Sequence, residues 1–188
     1  MENAQQINPH ASLDVALPND DRPLKYESRL REIRPRMVAM KQIELSTSVA
    51  ARHLRRDFNL ASAKMYVFSL NLDYRAKIHA ALGDVAWEIS MLEEEGAKFS
   101  HMFTDVLKPQ RYEMMFISAE SAKMYRSLKA ADAIFARFYA AEFGGMITKD
   151  QRMELMRPFW LTYSVFKRIA MKLQSKSVDE MLAELKLS

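Results

Sequence analysis

The scarcity of chain-breaking residues is what most constrains this chain: four glycines and six prolines are all that punctuate 188 residues. Gly and Pro end helices, whereas Ala, Leu, Met, Lys and Glu, which propagate them, are plentiful. That balance predicts a mainly α protein. One stretch departs from it. Residues 36–45 carry no helical punctuation and read as one short extended segment. Met37, Ala39, Lys41, Ile43 and Leu45 lie on one face of it, and Arg36, Val38, Met40, Gln42 and Glu44 on the other. The first face is more apolar and is expected to look inward, although Lys41 interrupts it. Which face meets a partner stays open, and the bland alternative is a helix lead-in or an edge segment.

Pro35 pushes Arg34 toward extended geometry just before this segment. Just after it, Ser46, Thr47 and Ser48 supply hydroxyls for a helix N-cap. The helix they open carries Arg52, Arg55 and Arg56, three arginines within five residues. Asp57-Phe58-Asn59 predicts a break. Phe58, Ala61, Met65, Phe68, Leu72, Ala76 and His79 then recur at helical steps toward Gly83. A competing strand at 64–72, with Asp73 capping a following helix, matches fewer positions. Asp84 is expected to cap the next helix, which Lys108-Pro109 ends. Residues 111–118 are ambiguous between a strand and the start of a helix. Ser118 opens a further helix through Phe143, and Gly144-Gly145 stops it. Thr148 and Gln151 form a capping box before a last long helix to about Lys172, with Pro158 expected to kink it. A second box at Ser177 and Glu180 starts a short terminal helix. Residues 1–21 are polar and Pro-punctuated and read as a disordered arm, and 22–34 as a short helix or as an arm that orders on binding.

Charge is distributed unevenly. Residues 22–77 hold 13 Lys/Arg against 5 acids, a net +8 in a chain whose total is +4. A basic half joined to an acidic half is the footprint of a polyanion binder; a solvated basic face that touches nothing is the plainer reading. The chemistry of most enzyme classes is missing. There is no Cys, so no thiol nucleophile or Cys-based zinc site. His10, His53, His79 and His101 show no metal-ligand spacing, and the glycines make no phosphate loop. Glu93, Glu94 and Glu95 are consecutive, so a helix splays them over different faces. No apolar run is long enough to span a membrane, and the N-terminus lacks a signal-peptide pattern. No enzyme activity, cofactor or metal is expected.

The block from Leu45 to Met65, with its Leu-x-Thr entry, Arg55-Arg56-Asp57-Phe58 centre and downstream Lys64-Met65, resembles the signature of the AcaB-like family of transcriptional regulators. That family is encoded on conjugative plasmids and integrating conjugative elements. Phe143-Gly144-Gly145-Met146-Ile147, Trp160 and Lys167-Arg168-Ile169-Ala170 are similar to its C-terminal part, and the likeness covers roughly residues 36–173. The resemblance implies an activator of conjugative transfer genes with ribbon-helix-helix-like DNA binding.

On that basis three regions are expected: a flexible basic arm at 1–33, a ribbon-helix-helix-like DNA-binding region at 34–83, and a helical dimerisation or accessory region at 84–188. The strand at 36–45 would pair with its copy in a homodimer, and the resulting two-stranded ribbon would enter the major groove. Lys41 and Gln42 are the candidates for base edges. Arg34, Arg36, Arg52, Arg55 and Arg56 would bind phosphates, and Ser46 and Thr47 would clamp one at a helix N-terminus. The partners would be double-stranded DNA, a second copy and RNA polymerase, with no membrane, in the cytoplasm at the nucleoid. The rivals are a helical interaction protein of the conjugation apparatus that never touches DNA, and an accessory DNA-binding protein at a transfer origin.

Overall fold

The computed structural model describes residues 24–33, 39–105 and 107–173. Arg34, Arg36, the arm at 1–21 and the terminal helix expected from Ser177 lie outside them. The order of elements is α1 (Glu27–Ile33), β1 (Ala39–Leu45), α2 (Ser48–Phe68), α3 (Leu72–Ala97), β2 (Gln110–Phe116), α4 (Ala119–Phe143) and α5 (Lys149–Met171). Four long helices make the body. α2 and α3 are consecutive but meet little; each packs chiefly against α4 and α5. The shared core joins Leu54, Phe58 and Met65 of α2, Ile78 and Val85 of α3, Phe135 and Phe138 of α4, and Phe159, Tyr163 and Phe166 of α5.

β1 is a strand, as its alternation predicts, but its partner is not a second copy. It pairs antiparallel with β2 of the same chain, Ile43 opposite Tyr112 and Gln42 opposite Glu113. This corrects the expectation of one short strand completed only in a dimer. The physical reason is burial. Ile43, Leu45, Tyr112 and Met114 all enter the helical core, so the two strands share one apolar floor. The inward face is the expected one at Ile43 and Leu45, whereas Ala39 and Lys41 are exposed.

The expected break at Asp57-Phe58-Asn59 does not occur, and α2 runs on to Phe68. Asn59 is only 2% exposed, and its amide donates to the Lys25 carbonyl at 3.0 Å instead of capping a helix. The turn comes at residues 69–71, where Asn71 accepts from the Tyr74 N–H at 2.9 Å. α3 then continues through Gly83 and Asp84, so the expected division at residue 83 falls inside one helix. A Cβ at Gly83 would meet nothing within 4 Å, whereas one at Gly96 would lie 2.6 Å from Ile134 Cγ2. Gly96 therefore lets α3 and α4 approach closely. The Ser118 and Thr148 starts and the Gly144 stop follow the sequence closely, and α5 holds Pro158 within one helix.

Candidate nucleic-acid interface

The sequence points to the junction of β1 and α2. Thr47 is the N-cap of α2, its hydroxyl accepting from the Ala50 N–H. The free N–H groups just before the helix are already taken. Asp132 of α4 accepts from Ser46 N at 2.7 Å, from Thr47 N at 2.9 Å and from Thr47 Oγ1 at 2.6 Å. Burial pushes the Asp132 carboxyl above its usual range, partly offset by the bonds from Thr47 and Ser46. A carboxylate of the same chain thus fills the place where a phosphate was expected. Ser46 and Thr47 lock α4 to the β1–α2 junction, which corrects their assignment as a phosphate clamp.

Lys41 and Gln42 are both exposed, but successive strand residues point to opposite faces. Lys41 shares its face with Ile43, across from Met114. Gln42 is on the outer face with Met40, Glu44, Arg111 and Glu113. There Arg111 donates to Glu44 at 2.7 Å, so the outer ribbon face carries both signs of charge. The two base-edge candidates cannot read one groove from one ribbon face.

The three arginines of α2 also separate. Arg52 is exposed and makes no ion pair with another described residue. Arg55 is half-buried, and its carbonyl accepts from Lys25 N at 3.1 Å, which draws α1 onto α2. Arg56 is exposed but donates to both Asp57 oxygens at 3.0 Å. Asp57 also accepts from Lys167 Nζ at 2.7 Å, and Lys167 is only 7% exposed. Burial alone would raise the Asp57 carboxyl; the bonds from Arg56 and Lys167 hold it below its ordinary value. Lys167 Nζ also lies 3.2 Å from His53 Nδ1. An ammonium only donates, so that ring nitrogen accepts. His53 stacks on Trp160 at 4.2 Å between centroids. Burial first, and then Lys167, lower its pKa from 6.5 to about 4, so the ring is neutral at pH 7. The ring, which shows no metal-ligand spacing in the sequence, sits at the edge of this buried network.

A second basic surface escaped the sequence. α4 exposes Lys123, Arg126 and Lys129, while its acids are spent inside. Glu120 accepts from Arg75 at 3.3 Å and lies 3.0 Å from His79 Nε2. Asp132 is bound to Ser46 and Thr47, and Glu142 pairs with the buried Arg152. The signal was present as the positions between the apolar stripe of α4, but a regional charge count assigns this helix to the acidic half.

Among the described residues no group of three His, Asp or Glu is placed to hold a metal ion, and no helix is long and apolar enough to cross a membrane. No family model matches the chain, and no curated protein matches it in sequence. In structure it is similar to selenomethionine-containing AcaB from uropathogenic E. coli, with a TM-score of 0.52 and 15% sequence identity, over 73% of this chain and 80% of that one. At that identity the likeness shows a shared fold: the chain has an AcaB-like fold, mainly helical with a two-stranded antiparallel sheet.

Proposed function

We propose that the chain is a DNA-binding transcriptional regulator of conjugative transfer genes on a mobile element, acting as an activator and as a homodimer. The observation that carries the reading is the net +8 of residues 22–77, a region that joins the strand β1, with Met40, Gln42 and Glu44 exposed on its outer face, to a basic helix. The likeness of fold and the Leu45–Met65 resemblance agree with it. Because β2 supplies the second strand, one protomer holds a two-stranded ribbon, and the exposed end of its outer face, with Gln42, Glu44, Arg111 and Glu113, is the part open to a major groove. Gln42 and Arg111 on its outer face are the candidates for base edges. Lys41 and Arg52, both exposed, are the candidates for phosphates, which position a protein without reading sequence.

The mixed charge of the outer ribbon face, with Glu44 and Glu113, favours a second reading. In it the chain is a helical interaction protein whose arginines meet acidic partner surfaces. Titration of the purified protein against its own upstream DNA and a scrambled duplex, at two salt concentrations, separates the two. The first reading expects preference for the upstream duplex and steep salt dependence. Absence of binding to either duplex at low salt removes it in favour of the second.

A further inference from the structure

We infer that the exposed side of α4, through Lys123, Arg126 and Lys129, is a second phosphate-binding surface that engages the backbone of the same duplex as the β1–α2 junction. The inference rests on the DNA-binding reading above and extends it to a helix the sequence assigned to dimerisation. The charge argument comes first. Every acid of α4 is turned inward and paired. Glu120 and Asp132 are each 4% exposed, and Glu142 is held by Arg152. Lys123, Arg126 and Lys129 make no ion pair with another described residue, so this side of the helix is uniformly positive. A surface meant only to stay solvated gains nothing from that separation, since interspersed signs serve solubility as well.

Spacing points the same way. Six residues of helix rise about 9 Å, against one phosphate per roughly 3.4 Å of axis along a DNA strand, so the row spans two to three phosphates. The neighbouring exposed positions Ala130 and Ala133 are small and leave room for a backbone to approach. Position supplies the third argument. Lys129 lies one turn before Asp132, and Asp132 is bonded to Ser46 and Thr47. Lys129 is also close enough to pull on the Asp132 carboxyl. The stripe therefore ends close to the start of α2, the helix that carries Arg52.

The test measures binding of a fluorescent duplex of upstream DNA across four salt concentrations. It compares the full chain, the triple variant Lys123→Gln, Arg126→Gln, Lys129→Gln, and, as a control, Lys149→Gln at the start of α5. Thermal unfolding confirms that the exposed substitutions leave the fold intact. The slope of log affinity against log salt should shrink by about 2–3 units in the triple variant, near 0.9 for each phosphate no longer neutralised, and stay unchanged in Lys149→Gln. A steep slope for the unaltered protein that persists in the triple variant overturns the α4 surface and leaves the β1–α2 reading standing. No binding by the unaltered protein at low salt removes that reading, and the inference with it.

Discussion

α2 and α4 both carry basic residues at helical spacing, and they dispose of them in opposite ways. α2 has the denser cluster in sequence, but Arg56 is tied to Asp57, and Asp57 also anchors the buried Lys167. Much of the charge of α2 is used to fasten it to α5. α4 has sparser cations and several acids, yet its acids face inward and its cations outward. Formal charge along a chain therefore overstates the outward potential of α2 and understates that of α4. Neutralisation is decided by which side chains packing brings together, not by which are neighbours in sequence.

The contrast is broken most sharply at Asp57. Asp57→Ala leaves the nearly buried Lys167 without its carboxylate, and losing one partner of such a pair costs about 3–5 kcal/mol. Chemical denaturation would read that loss, and a cost under about 1 kcal/mol would show that the network does not hold α2 to α5. The same network sets a pH dependence. The folded pKa of His53 lies below its unfolded value, so between the two the unfolded chain binds the extra proton. Its contribution is complete above pH 6.5 and is lost as the pH falls toward about 4. The expected loss is about 2–3 kcal/mol over that window. Asp57 adds to the loss at still lower pH, because its carboxyl is held below the ordinary range. In His53→Phe, which keeps an aromatic ring beside Trp160, denaturation measured from pH 7 to 4 should lose most of this slope; an unaltered slope would place the pH sensitivity elsewhere. The smallest effect belongs to Arg56→Ala. That side chain is 55% exposed and Lys167 still holds Asp57, so the cost should stay below about 1 kcal/mol. A larger cost would mean that Arg56 belongs to the buried lock.

Where the chain used local rules, the sequence was readable. The hydroxyl and capping-box starts at Thr47, Ser118 and Thr148, the stop at Gly144 and the alternation of β1 are all set by residues within a few positions of one another. The sequence leaves β2 open between strand and helix for a physical reason. Met114 enters the main core, while Met115, on the other face, is covered by Leu30 and Ile33 of α1. A strand buried on both faces shows no period of two. Its pairing with β1 joins residues about seventy positions apart, which no local pattern reveals. Asp57 and Asn59 resemble a helix break only while their partners are unknown. Lys167 pairs with Asp57, the Lys25 carbonyl accepts from the Asn59 amide, and α2 continues. At the candidate site, Lys41, Gln42 and Arg52 are exposed. The locking role of Ser46 and Thr47 needed Asp132, and the α4 surface needed the pairing of its acids.

The most direct measurement of DNA binding by these two surfaces is lysine reactivity followed by mass spectrometry, with and without the upstream duplex. Lys41, Lys123 and Lys129 are all exposed in the free chain, as is Lys149 at the start of α5. Protection of Lys41, Lys123 and Lys129 by the duplex, with Lys149 unchanged, is the expected result. Equal reactivity of all four with and without DNA, at protein concentrations where the salt titration saturates, would contradict both surfaces.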